Sequence, residues 1–199
     1  MARIELKNVY KSYGDKAILE DVSFVIESGI VAIMGESGTG KTTLLRLISG
    51  LEKPDSGLVN VDGSVAVVFA DSNLFPTSSV LDNVTCVMKW DKKTNETIAK
   101  TILDKLGLAN EYKSKPKKLS TGMAQRVSIA RAVASDREIY LLDEPFRGLD
   151  EKTRGDIMEY LKEFLKGKIV IMVTHDPKEA AYFTDKIYKI DNKNMHKTS

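Results

Sequence analysis

Gly35-Glu36-Ser37-Gly38-Thr39-Gly40-Lys41-Thr42 sets two glycines, one lysine and one hydroxyl at the spacing G-x-x-x-x-G-K-[ST], with a third glycine, Gly38, between. Chain of this type wraps a phosphate. The glycines let successive backbone N–H groups turn inward, and a following helix adds free N–H groups and a partial positive charge. Lys41 would reach the outer phosphates. Thr42 would offer its hydroxyl to Mg²⁺, a hard ion that takes oxygen ligands. Thr43 completes the candidate nucleotide-binding run. A glycine-rich turn that merely starts a helix has the same local look. The flanks favour the phosphate reading, with an apolar run Ile30–Met34 before the loop and a helix-like segment Thr42–Ile48 after it.

A second chemical pair ends the run Ile139-Tyr140-Leu141-Leu142-Asp143-Glu144. In an open parallel sheet, ligands sit beyond the carboxyl ends of the strands, so Asp143 and the phosphate loop should face one crevice. Asp143 would hold Mg²⁺, directly or through water. Glu144 would polarise an attacking water. An acidic start to a helix before Pro145 is the plainer alternative.

These groups need elements to position them. The chain has 199 residues, the length of one domain or of one domain with a small inserted lobe. The first 30 residues read as short strands with turns, Ile4, Leu6 and Val9 in one and Val22, Phe24 and Ile26 in another. Strand 30–34 and helix 41–49 follow. Strands Leu58–Val61 and Ser64–Phe69 flank Asp62-Gly63, a hairpin signal. Helices are expected at Val80–Trp90 and Thr94–Leu106, inside a helical lobe spanning about 77–120 between core segments 1–76 and 121–199. Helix Thr121–Ala134, strand Ile139–Leu142, helix Glu151–Leu165, strand Ile169–Val173, helix Lys178–Phe183 and strand Lys186–Ile190 complete an α/β pattern. That alternation implies a largely parallel sheet. The tail from Asn192 is polar and reads as frayed.

Composition closes other routes. Thirty basic and 28 acidic side chains leave a net charge of +2, too balanced for a dedicated polyanion binder, so no nucleic-acid partner is expected. Cys86 is the sole cysteine, which excludes a disulfide framework and a cysteine metal cluster and suits a reducing compartment. No apolar run approaches the ~18 residues of a spanning helix. The first residues lack a signal peptide's long apolar stretch.

Leu119-Ser120-Thr121-Gly122-Met123 and the segment Ala124–Ala132 complete a motif series that resembles the nucleotide-binding ATPases of ABC transporters over nearly the whole chain. The resemblance implies a P-loop NTPase core with a mainly parallel sheet, an N-terminal antiparallel β subdomain and an inserted helical lobe. It implies an ATPase that uses ATP and Mg²⁺. It also implies a homodimer or heterodimer in which Ser120, Thr121, Gly122 and Met123 meet the nucleotide of the partner subunit. Ser120 would equally serve as an N-cap. By the same resemblance Tyr13 stacks on adenine, although a core tyrosine is the bland alternative. Asp150, in Gly148-Leu149-Asp150, carries communication between subunits. His175 sits near the γ-phosphate and joins Glu144 and Lys41 as a catalytic residue. A separate integral-membrane permease would be driven from the cytoplasmic face.

The departures are specific. The family usually has glutamine where Val67-Val68-Phe69 is followed by Ala70 and Asp71. Alanine has no group to ligate Mg²⁺ or hold water. Asp71 would point the other way if the strand continued. Thr121 stands where glycine is common, and Met123 where glutamine is. Met123 gives the signature a likeness to importers of taurine, nitrate, sulfonate or thiamine precursors. Ala70 and Thr121 suit a second reading, a degenerate ATP-gated dimerisation subunit with an active partner. A third, a soluble relative acting in DNA repair or on ribosomes, lacks the expected coiled-coil insert or tandem cassette. The chain ends after its last strand, with no appended regulatory domain expected.

Overall fold

The computed structural model describes residues 2–191 and 193–197. Its elements are β1 (Arg3–Tyr13), β2 (Lys16–Ile26), β3 (Gly29–Met34), α1 (Lys41–Ile48), β4 (Ser56–Asp62), β5 (Val65–Val68), α2 (Val80–Thr85) and α3 (Lys92–Lys105). A 3₁₀ turn at Pro116–Lys118 precedes α4 (Thr121–Ala134), β6 (Ile139–Asp143), α5 (Glu151–Phe164), β7 (Ile169–Val173), α6 (Pro177–Phe183), β8 (Ile187–Asp191) and β9 (Asn194–Lys197). The α/β expectation holds. Strands form an antiparallel sheet ordered β2-β1-β4 and a six-stranded sheet ordered β5-β6-β7-β3-β8-β9. Within the latter, β3 runs parallel to β7 and β8, and β6 parallel to β7.

The chain divides into two compact units. One holds residues 1–67, 138–144 and 167–199, the other 68–137 and 145–166. In the first, Leu44, Leu45, Leu47 and Ile48 of α1 enter a cluster with Ile4 and Leu6 of β1, Val31 and Ile33 of β3, and Leu141, Ile171 and Val173 of the central strands. Every residue of β6 and of β7 is buried, as their unbroken apolar runs require of strands covered on both faces. In the second unit, α2, α3 and α4 pack on one another and bury Val84, Leu103 and Ile129 among others.

Four local expectations fail for identifiable reasons. Asp62-Gly63 is not a hairpin turn. β4 pairs with β1, Val59 opposite Leu6 and Val61 opposite Ile4, while β5 lies beside β6 in the other sheet. The chain changes sheets at Ser64, whose carbonyl accepts from the N–H groups of Glu138 and Ile139 at 3.2 and 3.0 Å. A turn signal is local, whereas the partner of Val59 and Val61 is an apolar strand some 50 residues away in sequence.

Helix α2 stops at Thr85, short of Trp90, because Val84, Thr85, Cys86 and Val87 are weak helix formers in succession. Helix α3 begins two residues earlier than expected, where the Asp91 side chain accepts from the N–H groups of Lys93 and Thr94. The tail from Asn194 is not frayed, since it forms β9 against β8, with Met195 packed on the core. The same expectation for residues 192 and 198–199 lies outside the described residues.

Candidate active site

Gly40 is the N-cap of α1 and lies in the left-handed region at φ 100°. A Cβ there would come within 2.8 Å of the Ile18 side chain, so only glycine fits this approach. Gly40 supplies no side-chain cap, which leaves the first-turn N–H groups of α1 for an anion. Lys41 is only 8% exposed and curls over the loop, donating to the carbonyls of Gly35 at 2.7 Å and Glu36 at 2.6 Å. Burial pulls its ammonium below the usual lysine range, with the nearby charges of Glu144 and Asp143 opposing that. Thr39 fixes the loop from within by donating its hydroxyl to the Glu36 carbonyl at 3.0 Å. Ser37 and Gly38 are exposed at the loop's tip, while Thr43 is buried.

Strand β6 brings Asp143 to this loop, where the Thr42 hydroxyl donates to Asp143 Oδ2 at 2.6 Å. Two hard oxygen groups thus converge beside a loop of N–H donors. No group of three or more His, Cys, Asp or Glu side chains fit to hold a metal occurs among the described residues. The Thr42 and Asp143 oxygens fit Mg²⁺, which keeps waters and takes substrate phosphate oxygens beside one or two protein ligands.

The parallel register of β6 and β7 sets Asp143 against Val173, so the residues just beyond the two strands meet. Glu144 adopts φ 46°, a left-handed conformation uncommon for this residue type, and its N–H donates to the Val173 carbonyl at 2.9 Å. No helix starts at Glu144, so the helix-start alternative falls. His175 Nδ1 stands 2.8 Å from Glu144 Oε2, and this hydrogen bond raises the imidazole above its usual range.

Beneath His175 lies a pair that sequence reasoning missed. The Thr174 hydroxyl, fully buried, donates to Glu179 Oε2 at 2.5 Å and accepts from the Asp176 N–H at 3.1 Å. The signal was present in a threonine before His175 with a glutamate five residues on, at the start of a helix.

The second unit assembles another group. Ser120 is the N-cap of α4, its hydroxyl accepting from the Met123 N–H at 3.2 Å. Gly122 is pressed against the 148–150 loop so closely that a Cβ would lie 2.5 Å from the Gly148 carbonyl. Asp150 caps α5 by accepting from the Thr153 N–H at 3.0 Å. Thr121 is exposed at the first position of α4. The signature segment and the Gly148–Asp150 loop are thereby neighbours, which the sequence did not indicate.

Strand β5 ends at Val68, so Ala70 and Asp71 lie in a bend and the strand-alternation argument against Asp71 has no basis. The bend is instead held by α4. Gln125, only 2% exposed, donates to the Phe69 carbonyl at 3.2 Å, and Arg131 donates to the carbonyls of Ser72 and Asn73 at 3.0 and 3.1 Å. Tyr13 is 45% exposed at the end of β1 and is not a core residue.

A family model for the ABC transporter matches residues 19–147. The chain belongs to the ABC transporter family. It is 41% identical over 192 residues to an aliphatic sulfonates import ATP-binding protein of Rhodococcus jostii, covering 95% of this chain and 71% of that protein. It is 40% identical to a spermidine/putrescine import ATP-binding protein of Pasteurella multocida, covering 92% of this chain but spanning only about half of that relative, 54%. A solved dimer of an ATP-binding cassette, in a post-hydrolysis state bound to ADP and Pi, superposes with a TM-score of 0.90 at 32% identity over 98% of both chains. The chain is an ATP-binding subunit of this family.

Proposed function

We propose that the chain, as a single ATPase domain, hydrolyses MgATP as one half of a cytoplasmic dimer and drives an integral-membrane permease, most fittingly an importer. The observation that carries this is the convergence of Lys41, Thr42, Asp143, Glu144 and His175 at the ends of β3, β6 and β7. Relatives named as import proteins support the direction of transport, and those named for aliphatic sulfonates agree with the Met123 signature. No helix among the described residues is long and apolar enough to cross a membrane.

In this reading the loop amides and Lys41 hold the phosphates, and Thr42 and Asp143 hold the metal. Mg²⁺, when bound, neutralises charge on the phosphate oxygens. Glu144 accepts a proton from water as the water oxygen bonds to the γ-phosphorus and the bond to the ADP oxygen breaks. The strained Glu144 backbone and the His175 hydrogen bond hold that carboxylate in place. His175 lies beside the γ-phosphate. Ser120, Thr121, Gly122 and Met123 reach the partner's nucleotide, and Asp150 links the two subunits.

Glu144→Gln should bind ATP as the parent does and hydrolyse it roughly 10²–10⁴-fold more slowly. Steady-state phosphate release and equilibrium ATP titration measure the two separately, and parental turnover would move the base elsewhere. Ala70 favours one other reading, an ATP-binding dimerisation subunit with weak hydrolysis, because no side chain there can position water. Ala70→Gln distinguishes them. A much faster rate at unchanged ATP affinity identifies the parent as the weak form.

A further inference from the structure

We infer that Glu52 is a positioning residue that fixes the Tyr13 ring as a platform for the nucleotide base and ties that platform to the helix carrying the phosphate loop. This rests on the expectation that the Tyr13 ring stacks on adenine. An exposed ring at the end of a strand is free to rotate unless something holds it, and binding would then have to immobilise it. Here the Tyr13 hydroxyl donates to one oxygen of Glu52, Oε2. The other, Oε1, accepts from Arg46 Nη1 at 3.2 Å. Arg46 belongs to the last turn of α1, whose N-terminus is the phosphate loop. Glu52 is itself placed by the end of that helix, because the N–H groups of Leu51 and Glu52 both donate to the Arg46 carbonyl, at 3.0 and 3.2 Å.

The same turn holds the neighbours of Tyr13. Lys11, two residues back in β1, extends its ammonium over the ring, 5.5 Å from the centroid. That ammonium donates to the Lys53 carbonyl at 2.9 Å and to Asp55 Oδ1 at 3.2 Å. Asp55 Oδ2 accepts from the Ser12 N–H at 2.7 Å, and the Asp55 N–H donates to the Tyr10 carbonyl at 2.9 Å. The end of β1 is thus strapped to Glu52, Lys53 and Asp55 at Tyr10, Lys11, Ser12 and Tyr13. A flat ring has two faces, and Lys11 covers one. A base stacks on the other, its height set through Glu52 by the length of α1.

An isolated surface ion pair between Arg46 and Glu52 would contribute little. The test must therefore separate base recognition from the phosphate loop. Binding of MgATP and of magnesium tripolyphosphate, which lacks a base, is measured by calorimetry for Glu52→Ala, Glu52→Gln, Tyr13→Phe, Tyr13→Ala and the double variant Tyr13→Phe/Glu52→Ala. Glu52→Ala and Tyr13→Phe should each weaken ATP by about 2–10-fold, the worth of one immobilised side chain. The double variant should lose no more than the stronger single, since both remove one hydrogen bond. Glu52→Gln, whose amide oxygen still accepts from the phenol, should recover most of the loss. Tripolyphosphate affinity should stay unchanged throughout.

Equal losses for ATP and tripolyphosphate, or additive losses in the double variant, would overturn the inference. So would parental ATP affinity in Glu52→Ala when Tyr13→Ala binds poorly. Parental ATP affinity in Tyr13→Ala would instead remove Tyr13 from the site and with it the reading on which Glu52 depends.

Discussion

Asp143 is 3% exposed, and burial holds its carboxyl above the ordinary aspartate range. The Thr42 hydrogen bond and the charge of Lys41 oppose that rise. A raised native pKa means the folded chain holds this proton more tightly than the unfolded one. The group favours folding at acid pH, and that contribution is lost as pH rises through the native value. At neutral pH the ionised carboxylate is a burden on the fold that a bound cation would relieve. Asp143→Asn keeps a side-chain oxygen for Thr42 and removes the charge. In the absence of metal and nucleotide it should melt about 1–4 °C higher, and it should lose the further stabilisation that MgATP gives the parent. Differential scanning calorimetry reads both, and a lower melting point in the variant would mean the charge is already satisfied. His175 carries the same sign from a different cause, the hydrogen bond and charge of Glu144. Its stabilising contribution is present below the ordinary histidine value of 6.5 and fades as pH rises through the higher native value. Proton NMR should find its midpoint above 6.5, and Glu144→Gln should move it back down. An unmoved midpoint would break the pair.

Helix α4 does more than display the signature. Ser120 caps it, Gly122 abuts the Gly148 carbonyl, and Gln125 and Arg131 hold the bend around Ala70. Gly122→Ala forces a Cβ to within 2.5 Å of backbone that cannot swing aside. Overpacking of this kind costs about 1–3 kcal/mol in urea unfolding, whereas Thr121→Ala, exposed one residue earlier, should change stability by less than about 0.5 kcal/mol. Similar values for the two would show that the 148–150 loop yields freely. At this scale the sequence was readable where a pattern is self-sufficient. The spans of α4 and β7 match their expected bounds, since an N-cap serine opens one and an unbroken apolar run marks the other. It was unreadable where a distant partner decides. Asp62-Gly63 has hairpin chemistry, yet β1 takes β4, and the polar tail at Asn194 becomes a strand because β8 offers an edge. The site divides the same way. Lys41, Thr42, Asp143 and Glu144 announce themselves by spacing. Glu52 and Gln125 act through hydrogen bonds to residues that no local pattern identifies, whereas Thr174 and Glu179 do stand at a local spacing, a threonine and an acid five residues apart at an ordinary helix start.

One chain of this family need not be a whole catalyst. Under the proposed reading the loop amides, Lys41, Thr42 and Asp143 of one chain account for phosphates and metal, and Glu144 for water. The signature group at Ser120–Met123 has no assigned partner within its own chain under the proposed reading, since it is meant for the nucleotide of a second copy. The solved cassette that superposes over 98% of this chain is a dimer bound to ADP and Pi, which supports the same arrangement. If two chains make each site, hydrolysis is second order in chain while monomers dominate. The rate per volume should then rise with the square of chain concentration in dilute solution and become linear once the ATP-bound dimer is saturated. Glu144→Gln, which keeps ATP, should shift that dimerisation to lower concentration, seen as earlier elution change with MgATP in size-exclusion chromatography. A rate linear in chain concentration throughout, with no change in elution, would mean that one chain completes its own site and that Ser120, Gly122 and Met123 serve only to cap and pack α4.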